Sequence, residues 1–115
     1  MTQEHILNKL YDILQARKNT DGETSYVASL YEKGSPKIAE KILEEAQEFI
    51  DEAFHIHHDR ADENTQKNIR SEAADLLFHI MVMLSHHDVP PGDVFEILEG
   101  RFGTSGHDEK ASRRK

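Results

Sequence analysis

The stretch Ala73-Ala74-Asp75-Leu76-Leu77-Phe78-His79-Ile80-Met81-Val82-Met83-Leu84 decides the fold. From Leu76 to Leu84 only His79 interrupts an apolar run. At 100° per residue such a run is apolar nearly all round, which predicts a helix buried on most sides, in a bundle or at a subunit interface. Neither this run nor any other approaches the roughly 20 apolar residues of a membrane span. Glu72 and Asp75, three apart, open the segment. Carboxylates do not enter apolar surroundings uncompensated, so they call for a Lys, an Arg or a divalent cation.

Outward from this helix, turn and cap residues divide the chain at Asn19-Thr20-Asp21-Gly22, at Gly34-Ser35-Pro36 and at His87-Asp88-Val89-Pro90-Pro91-Gly92. Polar Asp59 to Asn64 adds a fourth break. Between the breaks the apolar spacing is helical, and no strand alternation exceeds chance. Five helices are expected: about 2–18, Tyr26–Lys33, from Ser35-Pro36 to about His57, Thr65–His86, and Pro91 to about Phe102. Ser25 reads as the N-cap of the second and Gly34 as its stop, while Ser35 reads as the N-cap of the third with Pro36 at its first position. The fold class is all-α: a bundle of four to five helices around a central antiparallel hairpin of the third and fourth. Because five short helices of one 115-residue chain cannot readily cover a helix that is apolar all round, a homodimer is expected. Residues 1–102 read as one domain and 103–115 as a mobile, basic tail.

Composition narrows the function. There is no Cys, which excludes a disulfide scaffold, a thiolate metal site and a cysteine nucleophile. The net charge of −8 argues against nucleic acid as a partner. Met1 to His5 is not a basic region before an apolar stretch, so no secretory signal is visible and a cytoplasmic protein is expected.

On the third helix, Ile38, Ile42, Ala46, Phe49, Ile50 and Ala53 form one apolar arc, with Glu45 and Glu48 at its edge. Alone, that acid pair reads as a solvated face. Beside Glu72 and Asp75 across a hairpin it becomes four oxygen donors, a set suited to Mg²⁺ or Mn²⁺. Glu52 and His55 resemble half of a di-iron site, but no second Glu-x-x-His occurs, since Asp75 follows Glu72. His79 reads as a satisfied interior histidine, and His86-His87 as a helix end. Lys33, Lys37 and Lys41 cluster around the start of the third helix, where lysines and a helix N-terminus suit a phosphate chain. Ordinary i,i+4 pairing of Lys37 and Lys41 with nearby glutamates accounts for the same spacing.

Ser25-Tyr26-Val27-Ala28-Ser29-Leu30, Lys33-Gly34, Lys37-Ile38, Lys41, Glu44-Glu45-Ala46-Gln47-Glu48 and Glu72-Ala73-Ala74-Asp75-Leu76-Leu77-Phe78-His79 together resemble the phosphoribosyl-ATP pyrophosphatase family. The tail from Ser105 to Arg113 is similar to the basic tail of some members. The likeness spans nearly the whole chain. It is more specific than the acid pairs, which the wider all-α nucleotide pyrophosphohydrolase superfamily shares.

The resemblance implies Mg²⁺-dependent hydrolysis of phosphoribosyl-ATP to phosphoribosyl-AMP and pyrophosphate, the second step of histidine biosynthesis, by a homodimer. It implies Glu45, Glu48, Glu72 and Asp75 as metal ligands, with Glu44 an adjacent acid, and Lys37 and Lys41 near the phosphates. Arg17, Ser25 and Tyr26 match positions assigned to substrate contact, and Lys33 joins them. Glu45 or Glu48 is the expected general base. The cyclohydrolase domain to which many relatives are fused is absent, so a stand-alone enzyme is expected. Two other readings stay open: a house-cleaning nucleoside triphosphate pyrophosphohydrolase with the same metal site, and a dimeric helical interaction module without activity.

Overall fold

The structure, a computed structural model, describes residues 5–58 and 63–102, and only the backbone of 55–58. Five α-helices follow in order: α1 Ile6–Ala16, α2 Tyr26–Lys33, α3 Ser35–His58, α4 Glu63–His86 and α5 Pro91–Gly100. A 3-10 turn, Arg17–Asn19, extends α1, and no strand occurs among the described residues. The expected tail at 103–115 lies outside the described residues, as do residues 59–62 of the fourth break.

Local chemistry sets the boundaries. His5 is extended, and its Nδ1 accepts from the Leu7 N–H at 3.1 Å, so α1 starts at Ile6 and not near residue 2. The Asp21 carboxylate accepts from Glu23 N–H at 3.0 Å and turns the chain toward α2. Ser25 caps α2 by accepting from Ala28 N–H. Gly34 ends α2 at φ 83°, ψ −172°, a region essentially reserved for glycine. Its carbonyl accepts from Lys37 and Ile38, so α3 begins one residue earlier than expected. Ser35 is therefore inside α3 and not its cap, and its hydroxyl lies 3.1 Å from His87 Nε2. At the end of α4, Val89 N–H reaches the Leu84 carbonyl and Asp88 N–H the Ser85 carbonyl, a Schellman closure with Asp88 at φ 60°.

The core gathers Leu14 of α1, Leu30 of α2, Ile38 of α3, and Met81 and Val82 of α4. Leu7, Leu10, Tyr11, Val27, Tyr31, Ile42, Phe78, Met83 and Leu84 surround it. Each fully buried aliphatic side chain contributes about 1.5–3 kcal/mol. The α3 and α4 helices pack most extensively, and α5 lies against α1, where Phe95 meets His5 at 4.9 Å between ring centres.

Within the single chain α4 is left partly uncovered, as expected of five short helices: Leu77 is 51% exposed and Ile80 36%. One expectation of packing is corrected. Ile50 leaves the buried arc of α3 and joins Leu43 and Phe54 in a second, exposed stripe at helical spacing. No helix among the described residues is long and apolar enough to cross a membrane.

Candidate active site

The packing of α3 on α4 brings acids of both helices together. Glu45, Glu72 and Asp75 each offer a carboxylate oxygen, and these oxygens lie within 4.8 Å of one another. Glu48, one turn beyond Glu45 on α3, interacts with both Glu45 and Glu72. Burial raises the Glu45 carboxyl above its ordinary range, and the charges of Glu48 and Asp75 add to the effect. Glu72 is raised in the same way, by burial first and then by Glu48, Asp75 and Glu45. Oε2 of Glu45 and Oε2 of Glu72 are buried without a hydrogen-bond partner.

Buried acceptor atoms left without a donor cost about 1–3 kcal/mol each. Three acids held at this range, with Glu48 interacting beside them, repel one another, and the arrangement calls for positive charge. The donor set is all oxygen, so it fits a hard divalent cation.

The lysines are close at hand but otherwise engaged. Lys41 Nζ pairs with Glu44 at 2.9 Å, and this bond lowers the Glu44 carboxyl and raises the Lys41 ammonium. Lys37 pairs with Glu40 at 3.3 Å. These i,i+3 pairs are the helix-surface interactions that the spacing also allows. Lys41 still feels the charge of Glu45 and lies near Tyr26.

Arg17 follows α1 and Lys33 closes α2. Both are exposed, and the contacts that build the acid cluster involve neither. Ser25 is occupied as the cap of α2. Tyr26 places its hydroxyl 2.9 Å from Nε2 of His79. The side chains of His55, His57 and His58 lie outside the described residues.

His79 is the residue that sequence reasoning set aside. It is an interior histidine, 7% exposed, and its partners are satisfied, but it stands at the edge of the acid cluster. Its Nδ1 is 3.0 Å from the Asp75 carbonyl and 4.0 Å from Oε1 of Glu45. The signal was its place one turn after Asp75 on the same helix face.

Comparison with known proteins completes the site's context. The family model described as phosphoribosyl-ATP pyrophosphohydrolase matches residues 7–102, a span that includes every acid of the cluster. The chain belongs to the phosphoribosyl-ATP pyrophosphohydrolase family. It is 44% identical over 111 residues to a phosphoribosyl-ATP pyrophosphatase of Geobacter sulfurreducens, covering 96% of this chain and 95% of that protein. A phosphoribosyl-ATP pyrophosphatase of Hydrogenovibrio crunogenus is 46% identical over 110 residues, 96% of this chain and 94% of the relative. One of Rhizorhabdus wittichii is 45% identical over 109 residues and covers 95% of each. The cluster is half-buried: Glu45 and Glu72 are partly covered, while Glu48 and Asp75 are exposed.

Proposed function

We propose that this chain hydrolyses phosphoribosyl-ATP to phosphoribosyl-AMP and pyrophosphate, the second step of L-histidine biosynthesis. The near full-length match to the phosphoribosyl-ATP pyrophosphohydrolase family carries this reading. In the reaction, water oxygen bonds to the α-phosphorus, the bond from that phosphorus to the α–β bridging oxygen breaks, and pyrophosphate leaves. The water's proton passes to a carboxylate, Glu45 or Glu48.

Glu45, Glu48, Glu72 and Asp75 are the residues that hold Mg²⁺, or Mn²⁺ in its place, with Glu44 at the margin. The orphaned oxygens of Glu45 and Glu72 support that assignment. When bound, such an ion supplies charge neutralisation and Lewis-acid polarisation of phosphoryl oxygens. Lys41 and Lys37 exchange their glutamate partners for phosphate oxygens, a stronger match for an ammonium group. Lys33, Arg17, Ser25 and Tyr26 extend the substrate surface along α1 and α2.

Residues 1–102 act as one pyrophosphohydrolase domain in the cytoplasm. The α3–α4 pair is an antiparallel hairpin, which the contacts of Ser35 with His87 and of Glu45 with His79 support. Two chains pair through the exposed apolar faces of α3 and α4, where Leu43, Ile50, Phe54, Leu77 and Ile80 are otherwise left to water.

The test is pyrophosphate release from phosphoribosyl-ATP, with and without Mg²⁺, beside a panel of nucleoside triphosphates. Mg²⁺-dependent release from phosphoribosyl-ATP alone is expected. Release from the panel instead would move the activity to nucleotide-pool cleaning.

A further inference from the structure

The end of α4 carries two histidines that face different elements. His87 sets its Nε2 3.1 Å from the Ser35 hydroxyl, in the first turn of α3. His86 is half-buried and stacks on Tyr31 of α2, with ring centres 5.7 Å apart and planes 11° apart. The two histidine rings meet edge to face at 5.1 Å. Together they straddle Gly34, the single residue between α2 and α3. The Ser35 contact is indifferent to charge, because a hydroxyl both donates and accepts. The setting of His86 is not.

The titratable groups around His86 are Tyr31 from α2, Lys18 from the 3-10 turn, and His87 and Asp88 beside it in the chain, while α3 reaches this end of α4 through the uncharged Ser35. Asp88 is the one carboxylate among them, and it is already paired with Lys18 at 2.6 Å and bonded to Gln15. The helix end is also occupied: the carbonyls of Met83, Leu84 and Ser85 accept from the N–H groups of His87, Val89 and Asp88. Those are the groups that otherwise draw a cation to a helix C-terminus. The face of a tyrosine attracts cations too, but Lys18 already stands 5.9 Å from the centre of the Tyr31 ring. A proton on His86 therefore adds a positive charge for which the described residues hold no uncommitted counter-charge. Burial first, then the charges of His87 and Lys18, outweigh Asp88 and hold the ring below its ordinary value of 6.5.

We propose that His86 is a pH-sensitive clasp between α4 and α2: neutral, it stacks on Tyr31 and holds α2 closed; protonated, it turns to water and leaves α2 free to open at the Gly34 joint. The clasp belongs to the fold and stands independently of the proposed activity. Its sign follows from linkage. A histidine that titrates lower in the closed state than in the open one stabilises closure fully above its ordinary value of 6.5, and that contribution is lost as pH falls toward the closed-state value.

Amide hydrogen exchange of the intact protein, corrected for the intrinsic rate at each pH, reads the opening of α2 directly. Between about pH 7.5 and about pH 5.5, either side of a free histidine's titration, the amides of α2 are expected to lose more protection than those of α5. His86→Phe keeps a flat ring against Tyr31 and cannot take a proton, so its α2 amides are expected to stay protected across that range. The acids of α3 and α4 are the same in both proteins and drop out of the comparison. NMR titration of the wild-type histidine rings is expected to place His86 below 6.5. A titration at 6.5 or above overturns the clasp, and so does a loss of α2 protection in His86→Phe that matches the wild type. The ring titration needs no variant, so it decides even if His86→Phe does not fold.

Discussion

Two polar clusters sit on α4 about 15 Å apart along its axis, and they are built in opposite ways. Near its C-terminus, Ser85 is fully buried and accepts from the Tyr31 hydroxyl at 2.8 Å and from the Gln15 amide at 3.0 Å. The same amide reaches the Ser85 carbonyl and Asp88, and Lys18 closes on Asp88 at 2.6 Å. Donors meet acceptors throughout, and the network ties α1, the 3-10 turn and α2 to the end of α4. Ten residues earlier, Glu72 and Asp75 face Glu45 and Glu48: acceptors meet acceptors, and two buried oxygens have nothing to bind. The first cluster is complete within the chain and serves stability. The second has no donor of its own to complete it, which is what the proposed cation would supply.

Mutation should separate the two clusters, starting with the largest effect. Glu72→Gln or Glu45→Gln is expected to cut turnover at least about 100-fold, since even groups that merely support a metal ligand are worth 10–100-fold. The same variants should melt no earlier than wild type without metal, because a repelled buried charge has been removed. Steady-state rates and thermal melts check both halves; an early melt with normal turnover would reverse the roles given to the clusters. Mg²⁺ should raise the melting temperature of wild type, by an amount equivalent to about 2.7 kcal/mol at 100 times Kd, and should leave Glu72→Gln unmoved.

Ser85→Ala is expected to show the converse: about 1–3 kcal/mol of stability lost in denaturant titration, with kcat near normal. Gly34→Ala, forced into its glycine-only conformation, should cost about 1–3 kcal/mol.

The smallest effect concerns pH. Lys18 first, then Gln15, hold the Asp88 carboxyl below its ordinary value of 3.8. A depressed acid stabilises the fold above that ordinary value and loses its contribution as pH falls through the folded one. The stability difference between wild type and Asp88→Asn should therefore be constant near neutrality and shrink below pH 3.8. A constant difference down to pH 2 would remove the ion pair from the account.

Much of this was legible in the sequence because it is local. Ser25 and Gly34 bracket α2, and their roles follow from cap chemistry within a few residues. The acid pairs share faces because i,i+3 spacing fixes direction on a helix. What failed was whatever depends on a distant partner. Ser35 reads as a cap until His87 is seen beside its hydroxyl. Ile50 belongs to an apolar arc until packing shows which side of α3 is covered. His79 reads correctly as a satisfied interior histidine, but its partner Tyr26 lies 53 positions away, and no periodicity relates the two.

The joint at Gly34 also has a mechanical side. One residue separates α2 from α3, so only a pair of torsions sets the angle between them. Tyr26 begins α2, eight residues from the joint, which is about 12 Å of helix. Over that lever arm, a rotation of about 10° would carry the start of α2 by roughly 2 Å, enough to part the tyrosine from its histidine. The reach of Tyr26 to His79 is therefore set at the far end of its helix, by the stiffness of a single glycine.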